Sequence, residues 1–338
     1  MKGIIPTGMS QRKLVSVVVP VYNEESTVGP FYEALVKAIS GVNTDFEIIF
    51  VDDGSSDGSY NLICKLAELD YRVKAVRFSR NFGSHAALLA GLRHASGDAA
   101  VIISVDLQDP PALIADLINR WQEGYHVVWA VRKDRDDPLL KKTFAAAFYK
   151  LFRKIALPDY PATGMDFGLF DRSVLASLSN FNELNHFITG MIVWLGFRQT
   201  QVFYHRLARH SGVSKWSFSK RVKNALDAIV SFSYAPIRLI SYTGIFISVV
   251  SFLFGALLLM RSVLFGSGDL GWPSVMVAVL FSGGVQLMVL GILGEYIWRG
   301  TEQARGRPQY IVMEAVGFEQ LSDLAHNGLE TARQRTPL

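Results

Sequence analysis

Two stretches without a single Asp, Glu, Lys or Arg, Leu239–Met260 and Leu270–Gly294, constrain this chain more than anything else in it. They run for 22 and 25 residues. At about 1.5 Å of rise per helical residue, either one spans the roughly 30 Å hydrocarbon core of a bilayer. The bland alternative is a pair of buried helices in a soluble domain. Two such lengths joined by a connector holding only Arg261 and Asp269 favour a transmembrane hairpin instead. Composition agrees, since 19% of the residues are charged and soluble domains carry about a quarter. Lys215, Lys220, Arg221, Lys223 and Arg238 precede the hairpin, and Arg299, Arg305 and Arg307 follow it. By the positive-inside rule both flanks, and with them both chain termini, are expected on the cytoplasmic side of a bacterial inner membrane. The first 13 residues are polar and lack the apolar run of a signal peptide, so no cleaved leader is expected.

The rest of the chain has a different rhythm. Leu14–Val21, Glu47–Val51, Val73–Phe78, Ala99–Val105 and His126–Val131 read as strands. Helical patterns over Glu25–Ser40, Tyr60–Leu69, Ser84–Ala95 and Pro111–Gln122 lie between them. This βαβ alternation predicts an α/β fold with a doubly wound, Rossmann-like parallel sheet over residues 14–214. Residues 215–235 mix Lys220, Arg221 and Lys223 with Trp216, Phe218 and Phe232, which suits an amphipathic helix in the headgroup layer. A solvated charged helix is the competing reading. The transmembrane pair is expected within 236–298, followed by a cytoplasmic, partly disordered segment over 299–338. The single cysteine, Cys64, excludes an internal disulfide and reads as a small packed helix residue. A net charge of +4 is far from the basic excess of a nucleic-acid binder.

Open α/β sheets bind ligands at the carboxyl ends of their strands, and acidic residues gather there. The first strand ends in Pro20-Val21-Tyr22-Asn23-Glu24, the second in Asp52-Asp53-Gly54-Ser55-Ser56-Asp57-Gly58, the fourth in Asp106-Leu107-Gln108-Asp109-Pro110-Pro111. Any one alone is ordinary turn chemistry. Three together suit a nucleotide-sugar: an aspartate accepts from base N–H or ribose hydroxyls, and Asp106 with Gln108 offers hard oxygen ligands to Mg²⁺ or Mn²⁺. The first strand is not followed by Gly-x-Gly-x-x-Gly, and there is no Gly-Lys-Ser/Thr loop, which argues against a dinucleotide dehydrogenase or a P-loop enzyme.

The segments VVVPVYNEE, FVDDGSSDGS, RFSRNFGSHAALLAGLRHA and VDLQDPP resemble glycosyltransferase family 2, in particular the dolichyl-phosphate mannose synthase and polyisoprenyl-phosphate glucosyltransferase type. The resemblance covers roughly residues 15–306. It implies a GT-A fold, a divalent cation, inversion at the sugar carbon, a nucleotide-sugar donor and a polyprenyl phosphate acceptor; UDP-glucose with undecaprenyl phosphate is the pair it suggests. It further implies donor contacts from Pro20, Tyr22, Glu24 and Asp52 with Asp53 beside them, metal ligation by Asp106 and Gln108, and phosphate binding by Arg132. Asp166 resembles the acidic residue assigned as catalytic base, with Asp106 completing the catalytic pair. Arg209 and Lys215 resemble groups that hold donor and acceptor phosphates, and related enzymes suggest self-association into a homo-oligomer.

The chain departs from the pattern at three places. Ser104 stands where an aspartate is usual, Gly168 where an arginine is usual, and Ser84-His85 where Lys-Glu is common. Two further readings stay open: transfer to another lipid or to a polysaccharide, and a non-catalytic scaffold or translocation partner, which Ser104 encourages. The acceptor site makes a direct prediction. Arg209→Ala and Lys215→Ala each remove a charge-assisted contact with a phosphate, worth about 1.5–3 kcal/mol, or roughly ten- to a hundredfold in transfer. Arg209→Lys should rescue only in part, because an ammonium lacks the guanidinium fork. Parent-like kinetics for both alanine variants, with donor and acceptor each varied, would make these residues ordinary surface charges.

Overall fold

The computed structural model describes residues 12–133, 148–161, 165, 167–181, 183, 187–205, 228–230, 232–265 and 272–318. Eight strands form one sheet: β1 (Leu14–Val21), β2 (Asp45–Asp52), β3 (Val73–Phe78), β4 (Ala99–Ile102), β5 (Val127–Arg132), β6 (Phe167–Asp171), β7 (Gln199–Tyr204) and β8 (Val312–Val316). Their spatial order is β7-β5-β6-β4-β1-β2-β3-β8. β1 pairs in parallel with β2 and β4, β2 with β3, and β5 with β7, while β6 and β8 run antiparallel to their neighbours. The sheet is therefore mixed: β1 to β5 run parallel, as the doubly wound reading expects, and β6 and β8 add antiparallel strands to it. All five strands read from the sequence are present, though β4 stops at Ile102, before the Ser104-Val105-Asp106 stretch.

Helices α1 (Glu25–Ile39), α2 (Ser59–Leu69), α3 (Ser84–His94) and α4 (Leu113–Gln122) connect the strands, followed by α5 (Arg172–Ser179) and α6 (Ile188–Trp194). Alternation along β1 sorts the core into two layers. Val15, Val17, Val19 and Val21 join Phe31 and Leu35 of α1, Ile63 of α2 and Leu117 of α4 in one cluster. Val18 points the other way, toward α3, where a Cβ on Gly91 would lie 2.2 Å from its Cγ1. Only a glycine lets α3 approach this closely.

Gly168 has a similar explanation. It lies in β6 opposite Ile102 and Trp129, and a Cβ there would meet Trp129 Cε3 at 2.9 Å and Val128 O at 3.0 Å. The arginine usual at this position is therefore replaced by a strand whose neighbour, the fully buried Trp129, fills the space.

The chain divides into two compact units, residues 1–222 with 308–338, and residues 223–307. The second holds α7 (Ala235–Phe265) and α8 (Trp272–Ala304), 31 and 33 residues long. Both outrun the charge-free stretches that predicted them. The window Ile237–Phe254 has a mean hydropathy of 1.8 and none of it is buried. That is the pattern of helices whose apolar side chains face something other than water or a protein core. The basic, aromatic segment expected over 215–235 lies mostly outside the described residues.

The segment after α8 returns to the sheet. Its residues 312–316 supply β8, which closes the β3 edge of the sheet. Gln309 Oε1 accepts from Arg93 Nη1 at 2.8 Å, its amide donates to Glu183 O at 2.7 Å, and Tyr310 stacks on Phe78 with ring centroids 5.0 Å apart. A five-residue strand with no fully buried residue and no alternating period gives a weak signal.

At the amino edge, away from the acidic loops, Glu47 of β2 is 4% exposed. It accepts from Ser16 Oγ (2.5 Å), Ser96 N (2.7 Å), Ser96 Oγ (2.7 Å) and Lys74 Nζ (2.5 Å). Burial pushes its pKa up, but Lys74 and the two serines outweigh that and hold the carboxyl below its ordinary value. Glu47→Ala strands the half-buried Lys74 and three donors around a buried site, so about 3–5 kcal/mol of stability should go. In a domain of this size that is a melting-temperature fall of roughly 6–20 °C, with chemistry at the opposite edge unchanged below the melt. A variant that melts with the parent would show the network to be dispensable.

Candidate active site

Register brings the candidate residues to one edge. Val21 lies opposite Asp52, and Asp53 N donates to Val21 O at 2.8 Å, so the loops after β1 and β2 leave the sheet side by side. Six strands run the same way, and their carboxyl ends carry Pro20 to Glu24, Asp52 and Asp53, Arg132 and, just past β4, Asp106 to Asp109. β6 runs against them, so Phe167 begins at that same edge. Asp166, Arg209 and Lys215 lie outside the described residues.

The first two loops are knitted by side chains. Asn23 has φ +52°, a conformation asparagine tolerates better than most residues. Its N–H donates to Ser55 Oγ at 2.9 Å, and its Oδ1 accepts from Ser56 N at 2.8 Å. Glu24 N donates to Ser59 Oγ, and Asp57 accepts from Ser59 N and from Glu25 N. Asp57 is therefore a turn-forming residue. Gly54, at φ +69°, must be glycine twice over, because a Cβ would also sit 2.5 Å from Arg80 C. Tyr22 is 37% exposed beside this frame.

The two adjacent aspartates have opposite fates. Both carboxylate oxygens of Asp53 are occupied, accepting from Phe82 N (2.7 Å) and Gly83 N (2.9 Å). It clamps the turn into α3, a role its sequence context does not signal. Asp52 is fully buried. Its Oδ2 accepts from Ser55 N at 3.2 Å and lies 3.6 Å from Arg77 Nε, but its Oδ1 has no hydrogen-bond partner among the described residues. A buried carboxylate oxygen without a donor calls for an explanation, and this one stands at the edge where open α/β sheets bind ligands. Burial raises the pKa of Asp52, against the Ser55 hydrogen bonds and the Arg77 charge.

Arg77 is a residue sequence reasoning missed. From β3 it stands over the Tyr60 ring at 4.6 Å, near Asp52 on one side and Glu314 of β8 (3.8 Å) on the other. A lone arginine in a strand gives no signal of this bridging. On the far side of the cleft, Asp106 is 7% exposed, and Gln108 N donates to its Oδ1 at 3.2 Å. Leu107 between them adopts φ +57°, a strained conformation for leucine. Among the described residues no three His, Cys, Asp or Glu side chains group as a metal site. One carboxylate and one amide oxygen are nonetheless hard ligands, and a cation here would draw its remaining ligands from a diphosphate and water.

Glycosyl transferase family 2 is the family whose sequence profile matches, over residues 16–178. An uncharacterized glycosyltransferase of Bacillus subtilis is 41% identical over 312 residues, 92% of this chain and 97% of the relative. The bactoprenol glucosyl transferase of Shigella phage SfII is 42% identical over 302 residues, 89% of this chain and 98% of the relative. Among solved structures, a mannosyltransferase of Pyrobaculum calidifontis in complex with GDP-Man and Mn²⁺ aligns at 20% identity with a TM-score of 0.47, over 88% of this chain and 86% of that one.

Asp53 makes the site testable by pH. Burial raises its pKa from 3.8 to about 6, against the two N–H donors. A raised folded pKa means stability that is present below the unfolded value and lost as pH rises through the folded one. Between pH 4 and 7 the parent should therefore lose roughly 2–3 kcal/mol relative to Asp53→Asn, at about 1.4 kcal/mol for each pH unit separating the ordinary pKa from the raised one. Thermal unfolding of both proteins across that range reads it. Parallel curves would mean that Asp53 does not titrate as an isolated buried acid.

Proposed function

Because this chain belongs to glycosyl transferase family 2, we propose that it moves glucose from UDP-glucose to a polyprenyl phosphate, undecaprenyl phosphate in the first instance. The observation that carries this reading is one chain holding both a buried acidic edge and two long, unburied apolar helices. The first suits a nucleotide-sugar and the second an acceptor that never leaves the bilayer. The glucosyl and bactoprenol parts rest on the relative at 42% identity over nearly its whole length.

In this reading Asp52 Oδ1 accepts from a donor base N–H, and Tyr22, Pro20 and Glu24 line the nucleoside pocket. Asp106 and Gln108 would hold Mg²⁺ or Mn²⁺, which would supply positive charge against the diphosphate and the departing UDP. Arg132 binds diphosphate oxygens, while Arg209 and Lys215 bind the acceptor phosphate. A phosphate monoester has its second pKa near 6, so the acceptor is largely dianionic at neutral pH and needs little proton abstraction. Its oxygen forms a bond to the anomeric carbon as the bond to UDP breaks on the opposite face, giving inversion. Asp166 then positions the acceptor or stabilises the positive charge that develops on the sugar. The main difficulty is bringing two anions together, which the cationic groups answer by preorganised electrostatics. α7 and α8 cross the membrane and return, leaving the catalytic unit on the cytoplasmic side where UDP-sugars are made.

The test is to incubate the purified protein with UDP-glucose, undecaprenyl phosphate and Mg²⁺ or Mn²⁺, and weigh the lipid product. A mass increase of one hexose is expected, abolished by chelator and reduced at least about a hundredfold in Asp106→Asn. Turnover with full activity in excess chelator would remove the metal from the reading. Absence of any lipid-linked hexose with every donor in a nucleotide-sugar panel would favour the scaffold alternative.

A further inference from the structure

We infer that Tyr204 is a positioning residue, whose hydroxyl ties the Asp106–Asp109 loop to Arg132 and so fixes the spacing between the metal-facing and phosphate-facing halves of the site. The inference rests on the proposed donor site and adds a residue to it. Tyr204 is the last residue of β7, 5% exposed, and lies in register opposite Arg132 at the end of β5. Lys133 N donates to Tyr204 O at 2.9 Å, which locks those two strand ends together. The Tyr204 hydroxyl donates a short, buried hydrogen bond to Asp109 Oδ1, and the Arg132 side chain, from the residue opposite in register, interacts with the same phenol. Its ring meets Phe167 edge-on at 6.4 Å, at the start of the strand that follows Asp166.

Asp109 is completely buried one residue beyond Gln108. It therefore anchors a loop whose middle residue, Leu107, is held at φ +57°. A leucine in that conformation costs free energy and persists only where its surroundings fix it. The Tyr204–Asp109 bond is a long-range polar contact in position to do so, bridging 95 residues of chain. Remove the hydroxyl and the loop can relax, shifting Asp106 and Gln108 relative to Arg132 without emptying any of the three positions.

A purely structural tyrosine and a positioning one differ in what its loss disturbs. The measurement is Mn²⁺ binding to the purified full-length protein in the presence of UDP, by electron paramagnetic resonance, with thermal unfolding alongside. Tyr204→Phe should weaken Mn²⁺ binding about tenfold, the scale of one hydrogen bond to a charged group. Asp109→Asn should weaken it similarly, and the double variant should be no worse than the weaker single one, because both remove one shared contact. Tyr204→Phe with parent-like Mn²⁺ binding, whatever its melting temperature, would overturn the inference, as would fully additive losses. A parent protein that binds no Mn²⁺ with UDP would instead overturn the metal-donor reading, and this inference with it.

Discussion

The backbone pairing that sets Val21 opposite Asp52 is the contact on which the rest of the site depends. It is fixed by burial on both faces: shifting β2 by one residue would turn Ile48 and Phe50 out of the α1–α2 layer and put Ile49 and Val51 in their place. Because the register cannot slip, the loops after β1 and β2 emerge together. Asn23 can then reach Ser55 and Ser56, and Asp52 ends beside the open edge rather than within the sheet. The same parallel order carries Asp106 and Arg132 to that edge from β4 and β5, while the reversed β6 lets the chain re-enter there.

Burying carboxylates is costly unless donors surround them, and this chain buries several with different outcomes. Glu47 is fully satisfied by two serines and a lysine and serves the fold. Asp53 is satisfied by two backbone N–H groups and serves a turn. Asp109 is tied to Tyr204 and serves a loop. Asp52 stands at the last position of its strand with Oδ1 unmatched by any donor among the described residues, which is why the proposed donor site is built on it. The distinction follows from where each carboxylate stands and how many donors it has already met, not from residue type.

Those roles mark where sequence reading succeeded and where it stopped. β1 to β5 and α1 to α4 were legible because each has a strong period or an unbroken apolar run, and the acidic loops were legible because they follow those strands. β6, β7 and β8 were not: Phe167–Asp171 and Val312–Val316 are five residues each, and Gln199–Tyr204 has a polar half. Asp52 and Asp53 are adjacent and chemically identical in sequence, so only backbone direction decides that one keeps an unmatched oxygen at its strand end and the other clamps α3. Gly168 looked like a missing arginine and is explained by Trp129, distant in the chain and next to it in the sheet.

β8 carries the remaining consequence. It follows α7 and α8 in the chain, yet it hydrogen-bonds to β3, which precedes them. A strand cannot join a sheet through a bilayer, so if α7 crosses one, the chain must cross back before residue 312. α8 is the 33-residue element that lies between. The basic residues Arg238 and Arg299 stand near the two outer ends of this pair, where a cytoplasmic face would place them. For a chain that enters the membrane at all, the closing strand thus demands an even number of crossings from hydrogen bonding alone, and charge asymmetry would then select the side. Through Glu314 and Arg77 the same strand also reaches Asp52, so the aspartate proposed for the donor is braced by chain that follows α7 and α8.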